Sequence, residues 1–256
     1  MYCTRRHIAV LNSMALVAIT LGGLVIATSS ARAYVYSSEA QYASYTSGAW
    51  TIYNNVWGNT SDPNTSQWLN VTSITDWNVE CDQPNTGGVN AYPNITVTPN
   101  TELSSMKSAG ATFSVSNPSS GYKASWFFDV YSNNWGEDQL QVYENWNTGT
   151  GGWGSEIASN VTIGDSTYSQ IWQASYSSSS GTCNVLMFFR NSQRTSGTEN
   201  LLAIENWAKS DGVLKNDNFY SMSFGNEIWY TTGWQYFYCN SYAGSWANTS
   251  GGGSSN

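Results

Sequence analysis

Two carboxylates stand where an ionised group is costly. Asp129 lies in Trp126-Phe127-Phe128-Asp129-Val130-Tyr131, and Glu227 in Phe224-Gly225-Asn226-Glu227-Ile228-Trp229-Tyr230. An apolar setting penalises a bare carboxylate and raises its pKa, which suits a general acid or a tuned carboxyl pair. Histidine chemistry is absent. The only histidine, His7, falls in residues 1–33, which read as a secretory signal: Arg5 and Arg6, an apolar run from Met14 to Ile26, and a small-residue cleavage motif at Ala31-Arg32-Ala33. Without an imidazole there is no Ser-His-Asp triad, no Cys-His pair and no His-ligated zinc.

Beyond residue 33 the chain carries six basic and 17 acidic residues, a net charge of −11. That balance excludes a nucleic-acid footprint. The chain holds 13 Trp and 17 Tyr beside many amides and hydroxyls. Aromatic rings stack on the apolar faces of sugars, amides and hydroxyls bond their edges, and carboxylates alone run glycoside hydrolysis. The competing reading places many of these aromatics in a β-sandwich core. No metal-ligand spacing, phosphate loop or nucleotide fingerprint appears, so no metal and no cofactor are expected. Cys81, Cys183 and Cys239 remain after the signal, and the expectation for an exported chain is one disulfide and one free thiol, the pair left open.

These residues need elements to position them. Runs rich in Val, Ile, Tyr, Trp and Thr at 50–57, 69–79, 93–98, 111–116, 123–131, 139–146, 158–163, 167–175, 183–190, 218–224 and 234–240 read as strands between turn clusters. The fold class is all-β, a sandwich or jelly roll. One helix is predicted over about 199–212, with Leu201, Ile204, Trp207 and Ala208 as its packed stripe and Gly212 as its stop. Residues 34–247 form the domain, and 248–256 read as a Gly/Ser-rich disordered tail. In Gln139-Leu140-Gln141-Val142-Tyr143-Glu144, a period of two puts Leu140 and Val142 on the core face and Gln139, Gln141 and Tyr143 on a groove face, with Glu137 joining them if the strand extends back. The loop carrying Trp153 is a plain turn or a groove edge.

Several segments, in order along the chain, resemble glycoside hydrolase family 12, the retaining endo-β-1,4-glucanases and xyloglucanases. They are Trp50-Thr51-Ile52-Tyr53-Asn54-Asn55-Val56-Trp57-Gly58, Ala91-Tyr92-Pro93-Asn94-Ile95, Phe127-Phe128-Asp129-Val130-Tyr131, the helix at 199–212, and Gly225-Asn226-Glu227-Ile228-Trp229. The resemblance implies a β-jelly roll of two curved antiparallel sheets with a concave substrate groove. It implies Glu227 as general acid/base and Asp129 as the assisting carboxylate. Asn55, Trp57 and Tyr92 are implied groove residues, and Gln141, Tyr143 and Trp229 are candidates beside them. The nucleophile position, a glutamate in family 12 and in the related family 11 xylanases, holds Gln139 here. A neutral amide attacks an anomeric carbon poorly, so Glu137 stands as a possible substitute carboxylate. The expected partner is a β-1,4-linked glucan or related plant polysaccharide, met outside the cell by a monomer with no membrane attachment after signal removal. The alternative is an inactive glucan-binding relative or decoy.

Overall fold

The computed structural model describes residues 16–20, 23–27, 32–62, 66–132, 137–147, 151–178, 181–215 and 217–256. The chain divides into two units, Met1–Tyr34 and Val35–Asn256. In the first, Leu16–Thr20 and Gly23–Ala27 pair as an antiparallel hairpin. The basic start of the predicted signal and Ala31 lie outside the described residues. No helix among the described residues is long and apolar enough to cross a membrane.

The second unit is a sandwich. Its smaller sheet runs in the order Ser196–Glu199, Met106–Ser116, Gln235–Asn248, Asp76–Cys81, Gln67–Ser73, Tyr36–Ser38. Its larger sheet runs Ser155–Ile163, Ser166–Ser178, Gly181–Arg190, Asp138–Trp146, Tyr122–Ser132, Asn218–Thr231, Asn94–Val97, Trp50–Tyr53, Ser44–Ser47. Among the described residues the pairings are antiparallel except one: Asp138–Trp146 runs parallel to Gly181–Arg190. The run predicted at 69–79 is two strands, Gln67–Ser73 and Asp76–Cys81, because the chain reverses at Ile74 and Thr75. Between the sheets lies a core that includes Trp50, Trp77, Phe113, Trp126, Phe128, Phe188 and Phe224. Large aromatics thus fill the gap that two facing pleated sheets leave.

The helix spans Leu201–Ser210, with the Asn200 side chain accepting from the Ala203 N–H at 3.1 Å as N-cap. Leu201, Ile204 and Ala208 are buried, Trp207 meets Phe188 edge-on at 5.6 Å, and Gly212 takes the positive φ that ends the helix. Beside the helix start, Glu144 and Glu199 are buried together and held by Arg194, whose Nε lies 2.6 Å from Glu144 and Nη2 2.8 Å from Glu199. Arg190, Ser166 and Tyr168 complete the bonding of Glu199. Two carboxylates withdrawn from water persist only with such partners.

Two expectations are corrected. Cys81, Cys183 and Cys239 are each free and buried. Cys81 faces Gln235 and Cys239 faces Trp77 on the same strand pair, four residues out of register. That is ~13 Å along the strand, beyond the ~7 Å Cα separation a disulfide tolerates. Cys183 belongs to the other sheet. The tail is also ordered: Gly253–Ser255 pairs with Ser245–Ala247, and Asn256 Oδ1 accepts from the Gly244 N–H at 2.7 Å. A Cβ on Gly253 would sit 2.6 Å from the Trp246 carbonyl oxygen. The glycine read as flexibility instead permits close approach.

Candidate active site

Strand alternation builds a groove on the outer face of the larger sheet. From Asp138–Trp146, Leu140 and Val142 enter the core, and Gln139, Gln141 and Tyr143 face outward. From Tyr122–Ser132, Phe128 and Val130 point inward, and Phe127, Asp129 and Tyr131 outward. From Asn218–Thr231, Phe224 and Ile228 are core, whereas Glu227 and Trp229 line the groove. Asp129 sits opposite Gln141 on one neighbour and Ser223 on the other, and Glu227 sits opposite Ser125. Gly225 must be glycine, since a Cβ would stand 2.4 Å from the Pro93 carbonyl oxygen. The resulting cavity measures about 580 Å³, within the usual range for a ligand site.

Its floor is aromatic: Tyr92 stacks on Phe127 at 5.0 Å and Tyr143 on Phe189 at 4.4 Å. One rim is Trp57, 48% exposed. Its loop is fixed from below. Asn55 takes a left-handed φ of 46° that asparagine tolerates, and donates from Nδ2 to the Tyr92 carbonyl at 3.2 Å. Gly58 packs so tightly on Val89 that a Cβ would fall 1.9 Å from its carbonyl oxygen. Trp153, 47% exposed, also lines the cavity, so the loop it stands on is a groove edge and not a plain turn.

Asp129 and Glu227 are the carboxylates among the described residues lining this cavity. Burial pushes the Asp129 carboxyl up to about 7, against the hydrogen bonds from Gln139 and Tyr131, which hold it down. Burial, with the Asp129 charge second, pushes Glu227 up to about 8. Glu227 keeps some exposure through the groove mouth, while Asp129 is almost wholly enclosed. Gln139 Nε2 donates to Asp129 Oδ1 at 2.9 Å, and Tyr176 Oη donates to Gln139 Oε1 at 3.3 Å. Tyr143 Oη donates to Gln141 Oε1 at 2.9 Å. Two carboxyls whose pKa values burial raises, set between stacked rings, can hold and exchange protons near neutral pH. No group of three or more metal-ligating side chains occurs among the described residues.

Comparison with solved structures decides the fold. The xyloglucanase domain of NopAA, a type three effector from Sinorhizobium fredii solved with cellobiose, superposes with a TM-score of 0.73 at 24% identity, over 83% of this chain and 99% of that one. The fold is that of the family 12 glycoside hydrolases. Trichoderma harzianum endoglucanase 3 of family 12 superposes at 0.72 with 21% identity, covering 82% of this chain and 97% of its own. A family 12 xyloglucanase from Bacillus licheniformis gives 0.67 at 21%, over 82% and 98%. No protein-family model and no curated protein matches the sequence significantly.

Within this family 12 fold, the cavity brings together Asn55, Trp57, Tyr92, Asp129, Gln139, Gln141, Tyr143, Glu227 and Trp229. Glu137 is the exception. It lies in the bend before the strand, half-buried and outside the cavity lining, because the strand begins at Asp138. Sequence reasoning missed Tyr131, Tyr176 and Lys123. Tyr131 was within reach, two residues from Asp129 on the same strand face. Tyr176 comes from a hairpin whose placement depends on the parallel pairing beside it. Lys123 Nζ lies 4.9 Å over the Trp229 ring, a cation–π contact. A second cavity of about 270 Å³ shares Asn55, Tyr92, Asp129 and Tyr131 and carries the groove on to Tyr53 and Thr96.

Proposed function

We propose that this protein is a secreted glycosidase that binds a β-1,4-linked glucan or related plant polysaccharide in the groove, as a monomer, and hydrolyses it. The observation that carries the reading is the placement of Asp129 and Glu227 together in an aromatic groove. The likeness to endoglucanases and xyloglucanases supports it. Glu227 is the general acid: with its pKa pushed up to about 8 it keeps its proton at neutral pH and can pass it to the leaving oxygen. Trp57 and Trp229 offer rings to a sugar, the buried Tyr92 and Tyr143 floor the groove beneath it, and Asn55 and Gln141 offer amides to hydroxyls.

One observation favours a second reading, glucan binding without cleavage. Gln139 occupies the nucleophile position of the resembled family, and an amide does not form a glycosyl-enzyme intermediate. Reducing-sugar release from β-glucan and xyloglucan by wild type, Gln139→Glu and Glu227→Gln separates the two. Release by wild type, lost in Glu227→Gln, supports the hydrolase. Release by Gln139→Glu with none from wild type selects the binding protein. Wild-type activity untouched by Glu227→Gln overturns the acid assignment.

A further inference from the structure

We infer that Asp129 is the general base of a single-displacement hydrolysis, with Gln139 as its positioning residue, so that the products leave with inverted anomeric configuration; this rests on the hydrolytic reading above. Gln139 is oriented, not idle. Its Oε1 is taken by the Tyr176 hydroxyl, which turns Nε2 toward Asp129 Oδ1 at 2.9 Å. The amide therefore offers Asp129 a donor where a glutamate would offer a second negative charge. Other acids nearby are engaged elsewhere. Asp138 accepts from Asn184 Nδ2 and from the Lys215 N–H, and Glu144 is bonded to Arg194 on the opposite strand face. Gln141 presents its Oε1 to Tyr143.

The register fits this division of labour. Glu227 lies opposite Ser125, four residues along the strand from Asp129, an offset of ~13 Å at the backbone. A single displacement needs about 6.5–9.5 Å between its two carboxyls to admit a water, against about 5–5.5 Å for a double displacement, and an offset along the strand separates the pair in that direction. The two groups also sense one another, since the Asp129 charge contributes to the raised pKa of Glu227.

The step balances. Asp129 takes a proton from a water whose oxygen bonds to the anomeric carbon. The bond from that carbon to the glycosidic oxygen breaks on the opposite face, and Glu227 gives its proton to the departing oxygen. Asp129 ends protonated and Glu227 ionised, and one proton crossing through solvent restores both.

Proton NMR of freshly released sugar from a soluble β-1,4-glucan oligomer, read before mutarotation, tests the assignment. The expected first product is the α-anomer. Asp129→Ala should lower the rate about 10²–10⁴-fold, and sodium azide should restore turnover with formation of an α-glycosyl azide, a rescue that a merely structural aspartate would not show. A β-anomer from wild type, or no azide rescue of folded Asp129→Ala, overturns this assignment and leaves the hydrolytic function standing. No sugar release from wild type overturns the hydrolytic reading itself and this one with it.

Discussion

Replacing Glu205 by glutamine should stabilise the protein increasingly as pH rises. Glu205 sits on the helix, 1% exposed, and accepts from the Ser132 hydroxyl at 3.3 Å through both oxygens. Burial, with the Asp138 charge last among the causes, pushes its carboxyl from 4.5 up to about 8. The sign follows from proton counting. Between those values the folded protein holds a proton that the unfolded chain has released, so stability falls as pH rises. At about 1.4 kcal/mol per pH unit, the cost is under ~1 kcal/mol at pH 5 and on the order of 5 kcal/mol at pH 9. Glutamine keeps the shape and an acceptor for Ser132 and has nothing to ionise. Urea unfolding of wild type and Glu205→Gln at pH 5, 7 and 9 should give nearly equal stabilities at pH 5 and a gap of several kcal/mol at pH 9. A difference that stays flat across that range would refute the claim that the fold holds Glu205 neutral.

The remaining expectations concern the groove and its support. Activity should follow a bell in pH, with the acid limb near 7 from Asp129, which must be ionised, and the alkaline limb near 8 from Glu227, which must be protonated; a plateau at pH 4–5 would contradict it. Trp57→Ala should weaken glucan binding roughly tenfold in isothermal titration, equivalent to about 1.4 kcal/mol of lost stacking, with the thermal midpoint little changed because the ring is half in solvent. Arg194→Met should cost about 3–5 kcal/mol in urea unfolding, since it takes from buried Glu144 its nearest cation and leaves Arg190 alone to face both carboxylates.

Most of the groove was legible because strand alternation is a local property. Once Leu140 and Val142 read as core, Gln139, Gln141 and Tyr143 had to share the other face. The helix was legible for the same reason, its stripe ending at Gly212. What the sequence concealed depends on register between distant strands. The spacing of Cys81 and Cys239 does not reveal that they lie four residues apart on paired strands. Tyr176 and Trp153 reach the groove only through pairings with Gly181–Arg190 and its neighbours. Glu137 missed the cavity by one residue of strand length.

The one parallel pairing has a consequence for assembly. Asp138–Trp146 joins Tyr122–Ser132 after a short connection, but meets Gly181–Arg190 only after an intervening hairpin has crossed over. Its partners Gln141 and Met187 lie 46 residues apart, whereas Asp129 and Ser223 on the antiparallel pairing beside it lie 94 apart, and in both cases the loop must close before the contacts repay its entropy. Gln139 comes from one side of this seam, and Tyr176 and Val185 from the other. A partly folded chain in which the seam is still open lacks the wall that carries Tyr176 and Val185, and one in which Asn218–Thr231 has not docked lacks Glu227 and Trp229. Recovery of the proposed glucan binding during refolding should therefore follow closure of both pairings, later than the growth of β-structure.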